Sequence, residues 1–220
     1  MSDESRSSTL VKESPFVSRL SEFDPSLRNG GQLILQQNCR VELRLPPEDG
    51  EESPVSAGPE SITVKIVAFH DDNDALRSVV VEALSETDVF FHYSREVGRE
   101  DFSRLRNQQH LTVTFDDFPG LLADLVAQCD SNDSQVRCAF VLFEGGARFD
   151  FISVAHKFRF VELLALSLNV ADQRDTQLLV SFRFNELKSR LAFAETRYND
   201  LAKAVQTRYP QILTAREDHL

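Results

Sequence analysis

Tryptophan is absent from this 220-residue chain, methionine occurs once and cysteine only three times. Cys39, Cys129 and Cys138 form no CxxC pair and leave an odd one over. That pattern is not a disulfide framework, and it points to a reducing compartment. A signal peptide needs an apolar core that the first ten residues lack, and no run of about 18 apolar residues could span a bilayer. The expectation is a soluble cytoplasmic chain with no membrane partner. Positive charge is also in short supply, with 24 Lys and Arg against 35 Asp and Glu and a formal net charge of −11. This balance argues against nucleic acid or an anionic surface as partner, and copies of the chain that associate must overcome mutual repulsion.

Catalytic signatures are missing as well. No GxSxG, HExxH, P-loop or GxGxxG occurs, and Gly145-Gly146 suits a turn better than a phosphate cradle. The five histidines, His70, His92, His110, His156 and His219, are scattered singly. None has a second His or Cys at metal-ligand spacing. Glu100-Asp101 and Asp116-Asp117 sit where helix starts favour carboxylates, so capping explains them without acid/base chemistry. The sequence therefore points to an interaction or scaffold protein and not an enzyme, with no cofactor and no metal.

What the chain does have is phenylalanine, 17 residues, with 3 Tyr. Aromatic and β-branched side chains suit a sheet-rich core. Residues 1–30 are polar, with scattered Phe16, Leu20 and Phe23, and read as a disordered arm. Leu33 to Leu35 and Val41 to Leu45 read as a hairpin stopped by Pro46-Pro47, followed by a loop from Glu48 to Glu60. Strand character returns at Ile62 to Ala68, Val79 to Val81, Val89 to Tyr93, Leu111 to Phe115, Val136 to Phe143, Arg148 to Ala155 and Leu164 to Val170. Helices are expected at Glu100 to Leu105 and from Asp116-Asp117 through Cys129, where Phe118, Leu121, Leu122, Leu125, Val126 and Cys129 share one face. Asn132-Asp133-Ser134 reads as a turn between elements and not as a glycan acceptor. The fold class is mainly β with α: an antiparallel β-sandwich or barrel head over 31–172 with a small two-helix insertion.

The texture changes from Asp175. Val180, Phe184, Leu187, Leu191, Ala194, Tyr198, Leu201 and Val205 recur at alternating steps of four and three, an a/d heptad seam. The spacing predicts a helix over 173–209, the start of a coiled coil, ended by Pro210 and followed by a tail over 210–220. Such a helix either pairs with a partner or packs back on the sheet.

Between the strand-like runs at Arg148 and Leu164 lies Phe158, flanked by His156, Lys157 and Arg159. It reads either as an apolar knob on a loop tip or as a ring folded back onto the core, where burial would stabilise by roughly 1.5–3 kcal/mol.

Val89-Phe90-Phe91-His92-Tyr93, Glu100 to Leu105, Gln108-Gln109-His110-Leu111, Phe118-Pro119 and Leu121 to Cys129 together resemble the N-terminal head of the spindle assembly abnormal protein six family. That family builds the centriolar cartwheel, and the resemblance runs from about Gln32 to Val205. Phe149 through Leu168 looks like the family signature, in which a loop Phe precedes an apolar strand and the helix that begins the coiled coil. His156-Lys157-Phe158-Arg159-Phe160 stands where the family often carries Asn-Pro-Phe-Lys, so proline is missing and Phe160 adds a second aromatic.

The resemblance implies a homodimer through a parallel coiled coil. It also implies ring-like head-head oligomerisation in which Phe158, with Lys157, Arg159 and Phe160, enters an apolar pocket of the next head. Other centriolar proteins are possible further partners, and the implied location is the cytoplasmic cytoskeleton at the centriole or basal body. The family's coiled coil is long, whereas about four heptads precede Pro210 here. The alternatives are therefore a fragment, or a short head-only relative acting at another flagellar, basal-body-associated or apical structure. A coiled-coil DNA-repair scaffold of related architecture is disfavoured by the acidic balance, and an enzyme on a β-sandwich would need a polar pocket that the sequence does not advertise.

Overall fold

A computed structural model describes residues 23–46, 54–130, 135–156 and 159–208. Seven strands close into a barrel: β1 (Gln32–Leu45), β2 (Val55–His70), β3 (Leu76–Ser85), β4 (His92–Gly98), β5 (Val136–Phe143), β6 (Gly146–His156) and β7 (Arg159–Val170). Their order around the barrel is β1-β2-β3-β4-β7-β6-β5. Every pair is antiparallel except β1 with β5, which is parallel over Val41 to Arg44. Helices α1 (Arg99–Gln109) and α2 (Phe118–Asp130) are inserted between β4 and β5, and α3 (Gln173–Arg208) follows β7. The chain divides into two compact units, Pro25–Val180 and a second unit that contains Ser181 onward.

Inward positions alternate as strand geometry requires. Ile62, Val64, Ile66 and Ala68 of β2, Val79, Val81 and Ala83 of β3, Phe149 and Phe151 of β6 and Leu164, Leu166 and Leu168 of β7 are buried in one core. Phenylalanine dominates it: Phe140 and Phe149 lie 5.7 Å apart centre to centre, and Phe149 and Phe151 4.5 Å, in tilted contacts. Helix α2 lays Phe118, Leu122, Leu125, Val126 and Cys129 into that core, and Phe102 of α1 meets Phe118 at 5.0 Å and Phe115 at 5.5 Å.

Several local expectations give way to tertiary pairing. Leu33 to Leu45 is one strand and not a hairpin, because β2 pairs along its whole length and draws residues 55–60 out of the expected loop. Val89 and Phe90 lie in the turn before β4, which Asp88 organises by accepting the Phe90 N–H at 2.9 Å. Leu111 to Phe115 forms no strand. Phe115 is an anchor, packed on Phe102 with the Arg99 guanidinium 5.0 Å over its ring, and its carbonyl accepts the Phe118 N–H. The alternation there marks points of attachment and not a ladder.

The N-terminal boundary also moves. Residues 1–22 lie outside the described residues, but Pro25–Leu27 forms a short 3-10 turn belonging to the head unit and not to an arm. Ser26 explains why: its hydroxyl donates to Glu82 Oε2 at 2.7 Å and accepts from Lys65 Nζ at 3.0 Å. Lys65 and Glu82 are buried on neighbouring strands, 3.8 Å apart. The same segment lays Gly31 against Val67 and Phe69 so closely that an added Cβ would fall 2.8 Å from Val67 and 2.9 Å from Phe69. This covering explains why residues 62–68 of β2 are buried on both faces.

Candidate self-assembly surfaces

The knob expected at Phe158 falls on the connection between β6 and β7. His156 pairs with Arg159, so Lys157 and Phe158, which lie outside the described residues, connect two paired positions. Arg159 is exposed, and Phe160 is 76% exposed at the start of β7. Leu163 follows at 38%, so this end of β7 presents apolar area to solvent before Leu164 turns inward. Behind the tip, Arg148 Nη2 bonds Asp150 Oδ2 at 2.7 Å and reaches Glu162 Oε2 at 3.8 Å. The hydrogen bond to the Asp150 carboxylate, aided by both negative charges, holds the Arg148 guanidinium above its ordinary pKa despite burial. Acidic and basic groups therefore lie close together on this face.

The second surface is on α3. Asp172 caps the helix by accepting the Arg174 N–H at 3.3 Å, Asp175 lies in the first turn and Arg208 in the last, as the helix dipole favours. Thr176 and Leu179 are buried in the head, and Thr176 Oγ1 meets His92 Nδ1 of β4 at 3.1 Å. Beyond them the heptad residues are exposed: Phe184 and Leu187 at 65%, Leu191 at 60%, Tyr198 at 71% and Leu201 at 64%. Ala194 is exposed too, while Val180 and Val205 are half-buried. Steps of four and three place all eight on one face of a helix about 54 Å long. An Arg190–Glu186 pair at 2.8 Å supports the helix at i,i+4 spacing.

In the chain, β7 lies between the two surfaces: the β6–β7 connection precedes it and α3 follows it.

Sequence reasoning did not anticipate the attachment of α1 to β7. Gln109 Nε2 donates to the Ala165 carbonyl at 2.7 Å, and Gln109 Oε1 accepts the Ala165 N–H at 2.9 Å. Arg95 Nη1 adds a bond to the Ser167 carbonyl at 3.0 Å. These side chains serve the stretch where β4 and β7 pair only through Tyr93–Val170 and Ser94–Asn169. Nor did the spacing of the cysteines, which form no CxxC pair and do not read as a disulfide framework, show that Cys129 and Cys138 form a disulfide, with Cα atoms 6.1 Å apart. Among the described residues no helix is long and apolar enough to cross a membrane.

A closed seven-strand barrel with a two-helix insertion between β4 and β5, followed in the chain by a long heptad helix, defines a head-plus-helix class of protein. The family model for the centriolar protein SAS N-terminal domain matches residues 33–168. The spindle assembly abnormal protein 6 homolog of Gallus gallus is 30% identical over 147 residues, 64% of this chain and 22% of the relative. That of Xenopus laevis is 45% identical over 53 residues, 24% of this chain and 8% of the relative. The chain thus spans only a minor part of these relatives' length. Among solved structures, an N-terminal fragment of Leishmania SAS-6 containing part of its coiled coil domain superposes with a TM-score of 0.66 at 19% identity, covering 86% of this chain and 100% of the fragment. The N-terminal coiled-coil dimer of C. elegans SAS-6 gives 0.59 at 15% identity, covering 76% of this chain and 98% of that one. The chain belongs to the SAS-6 family of structural centriolar proteins.

Proposed function

We propose that this chain is a self-assembling unit of the centriolar cartwheel that uses two interfaces. Through the α3 seam, Val180, Phe184, Leu187, Leu191, Ala194, Tyr198, Leu201 and Val205 pack against the same residues of a second copy in a parallel coiled coil. Through the β6–β7 hairpin, Phe158 enters an apolar pocket of a neighbouring head, with Lys157, Arg159 and Phe160 around it. One isologous contact yields a pair, whereas two contacts at a fixed angle yield a ring when the rotation closes. Lys157 and Arg159 steer this basic tip toward acidic groups of the receiving head, a local complementarity acting against the repulsion of two acidic chains.

The observation that carries this reading is the seam: five large apolar side chains at heptad spacing, each at least 60% exposed in the single chain. Such a face is stabilised by a partner helix. The C. elegans relative is described as a coiled-coil dimer, which agrees with the reading.

Sedimentation equilibrium over a wide concentration range tests it, comparing the wild type with Phe158→Glu and with Leu191→Asp plus Leu201→Asp. Two separate interfaces require each variant to lose a different association step. A wild type that is monomeric at every concentration would sink the proposal.

A further inference from the structure

Three sulfur atoms meet in the head core. Cys39 of β1, Cys129 of the last turn of α2 and Cys138 of β5 are all buried, and their sulfurs lie within 4.8 Å of one another. Cys129 and Cys138 are bonded, while Cys39 is a thiol whose Sγ lies 4.0 Å from the Arg40 carbonyl oxygen, to which it donates. Among the described residues the cluster contains sulfur alone, without histidine or carboxylate. A disulfide beside a thiol is neutral, and the chemistry open to it is exchange.

We propose that Cys39 is the attacking thiol of a buried disulfide-exchange site that moves the covalent staple of α2 from β5 to β1. The Cys39 thiol gives its proton to hydroxide, and the thiolate attacks Sγ of Cys129. The Cys39–Cys129 bond forms as the Cys129–Cys138 bond breaks, and Cys138 leaves as a thiolate that takes up a proton from water. No external oxidant or reductant is consumed.

Strand register selects this product. Val41, not Cys39, lies opposite Cys138 in the parallel β1–β5 pair. Cys39 is two residues back, so with strands about 4.8 Å apart and a rise of about 3.3 Å per residue its Cα lies roughly 8 Å from that of Cys138. A disulfide reaches only to about 7 Å between Cα atoms without backbone movement. Cys129 lies on α2, which packs against β1, and its sulfur is within 4.8 Å of that of Cys39. Before exchange the bridge closes the connection between α2 and β5, cysteines nine residues apart in sequence. After exchange that connection is open, and the helix is tied to a strand on the far side of the β1–β5 seam.

The full chain, oxidised with diamide under native conditions, alkylated and mapped by mass spectrometry without reduction, tests this. The wild type should hold both Cys129–Cys138 and Cys39–Cys129, approaching a fixed ratio faster at pH 9 than at pH 7 as the thiolate fraction rises. Cys138→Ala should oxidise to Cys39–Cys129, and Cys129→Ala should remain reduced. A wild type with Cys129–Cys138 alone at both pH values overturns the proposal. So does a Cys39–Cys138 bridge in Cys129→Ala, or a Cys138→Ala chain that keeps the wild-type circular dichroism and stays reduced.

Discussion

Gln109 and Ala165 are joined by a reciprocal pair of hydrogen bonds, 2.7 Å from the glutamine amide to the carbonyl and 2.9 Å from the alanine N–H to the glutamine oxygen. A side chain at the C-terminal end of α1 thereby takes the place of a missing neighbouring strand along the middle of β7. The barrel stays closed although β4 and β7 pair at only two positions, because Gln109 and Arg95 satisfy backbone groups that the diverging strands leave. The same strand follows the β6–β7 connection and precedes α3 in the chain.

Gln109→Ala leaves the Ala165 N–H and C=O without this partner in a partly buried setting. Each lost bond costs about 1–3 kcal/mol when the group is not rehydrated, so a destabilisation of about 2–4 kcal/mol is expected by urea denaturation. Amide exchange at Ala165 should accelerate more than at Phe151, which lies in the well-paired β5–β6 region. Equal protection at Ala165 in both proteins would remove glutamine from its role as a substitute strand.

Lys65, Glu82 and Ser26 form a buried polar group on the outer face of β2 and β3. Lys65→Met removes the buried cation beside the Glu82 carboxylate and should cost about 3–5 kcal/mol. Pairing it with Glu82→Leu should recover most of that loss, since both charges then leave the site together. Thermal unfolding of the two single variants and the double variant gives the coupling directly.

Phe158→Glu should abolish head-head association while the far-ultraviolet circular dichroism and melting temperature remain those of the wild type, because a carboxylate does not enter an apolar pocket. Phe160→Ser, at a 76% exposed position, should change stability by no more than about 0.5 kcal/mol. If Phe160→Ser weakens head pairing more than Phe158→Glu does, the roles of the two rings are reversed.

Leu191→Asp with Leu201→Asp puts carboxylates at 60% and 64% exposed seam positions. Helicity should become lower and independent of protein concentration, since about four heptads are marginal without a partner. The head should unfold at its wild-type temperature.

Asp71 supplies a pH test. Its carboxylate accepts the Ala75 N–H at 3.0 Å and the Asn73 N–H at 2.9 Å, the first lowering its pKa most, so the folded value lies below the ordinary 3.8. The contribution is present above the unfolded pKa and is lost as pH falls through the lower folded value. Asp71→Asn should remove that acid-side dependence from the β2–β3 turn, and the Asp71 side-chain shift followed by NMR should titrate below pH 3.8.

Composition and pattern determined much of this protein. The β-rich aromatic head, the two inserted helices, the β5–β6 hairpin at Gly145-Gly146 and the heptad helix were all legible, because side-chain period and turn chemistry act locally. The heptad spacing of the seam on α3 was legible but its exposure was not, and the recurring residues from Val89 to Cys129 carried the family resemblance. Other features depend on partners far away in the chain. Leu33 to Leu45 became one strand because β2 pairs along all of it, and residues 25–31 joined the head because Lys65 and Glu82, some 40 to 56 residues on, require Ser26. Leu111 to Phe115 alternates like a strand but finds no ladder, since Phe115 is held by Phe102 and Arg99. Barrel closure, the parallel β1–β5 seam, the clamp of Gln109 on Ala165 and the meeting of three cysteines were decided by tertiary structure alone. Each depends on long-range register, and a sequence period carries the face a residue occupies but not the strand that will lie beside it.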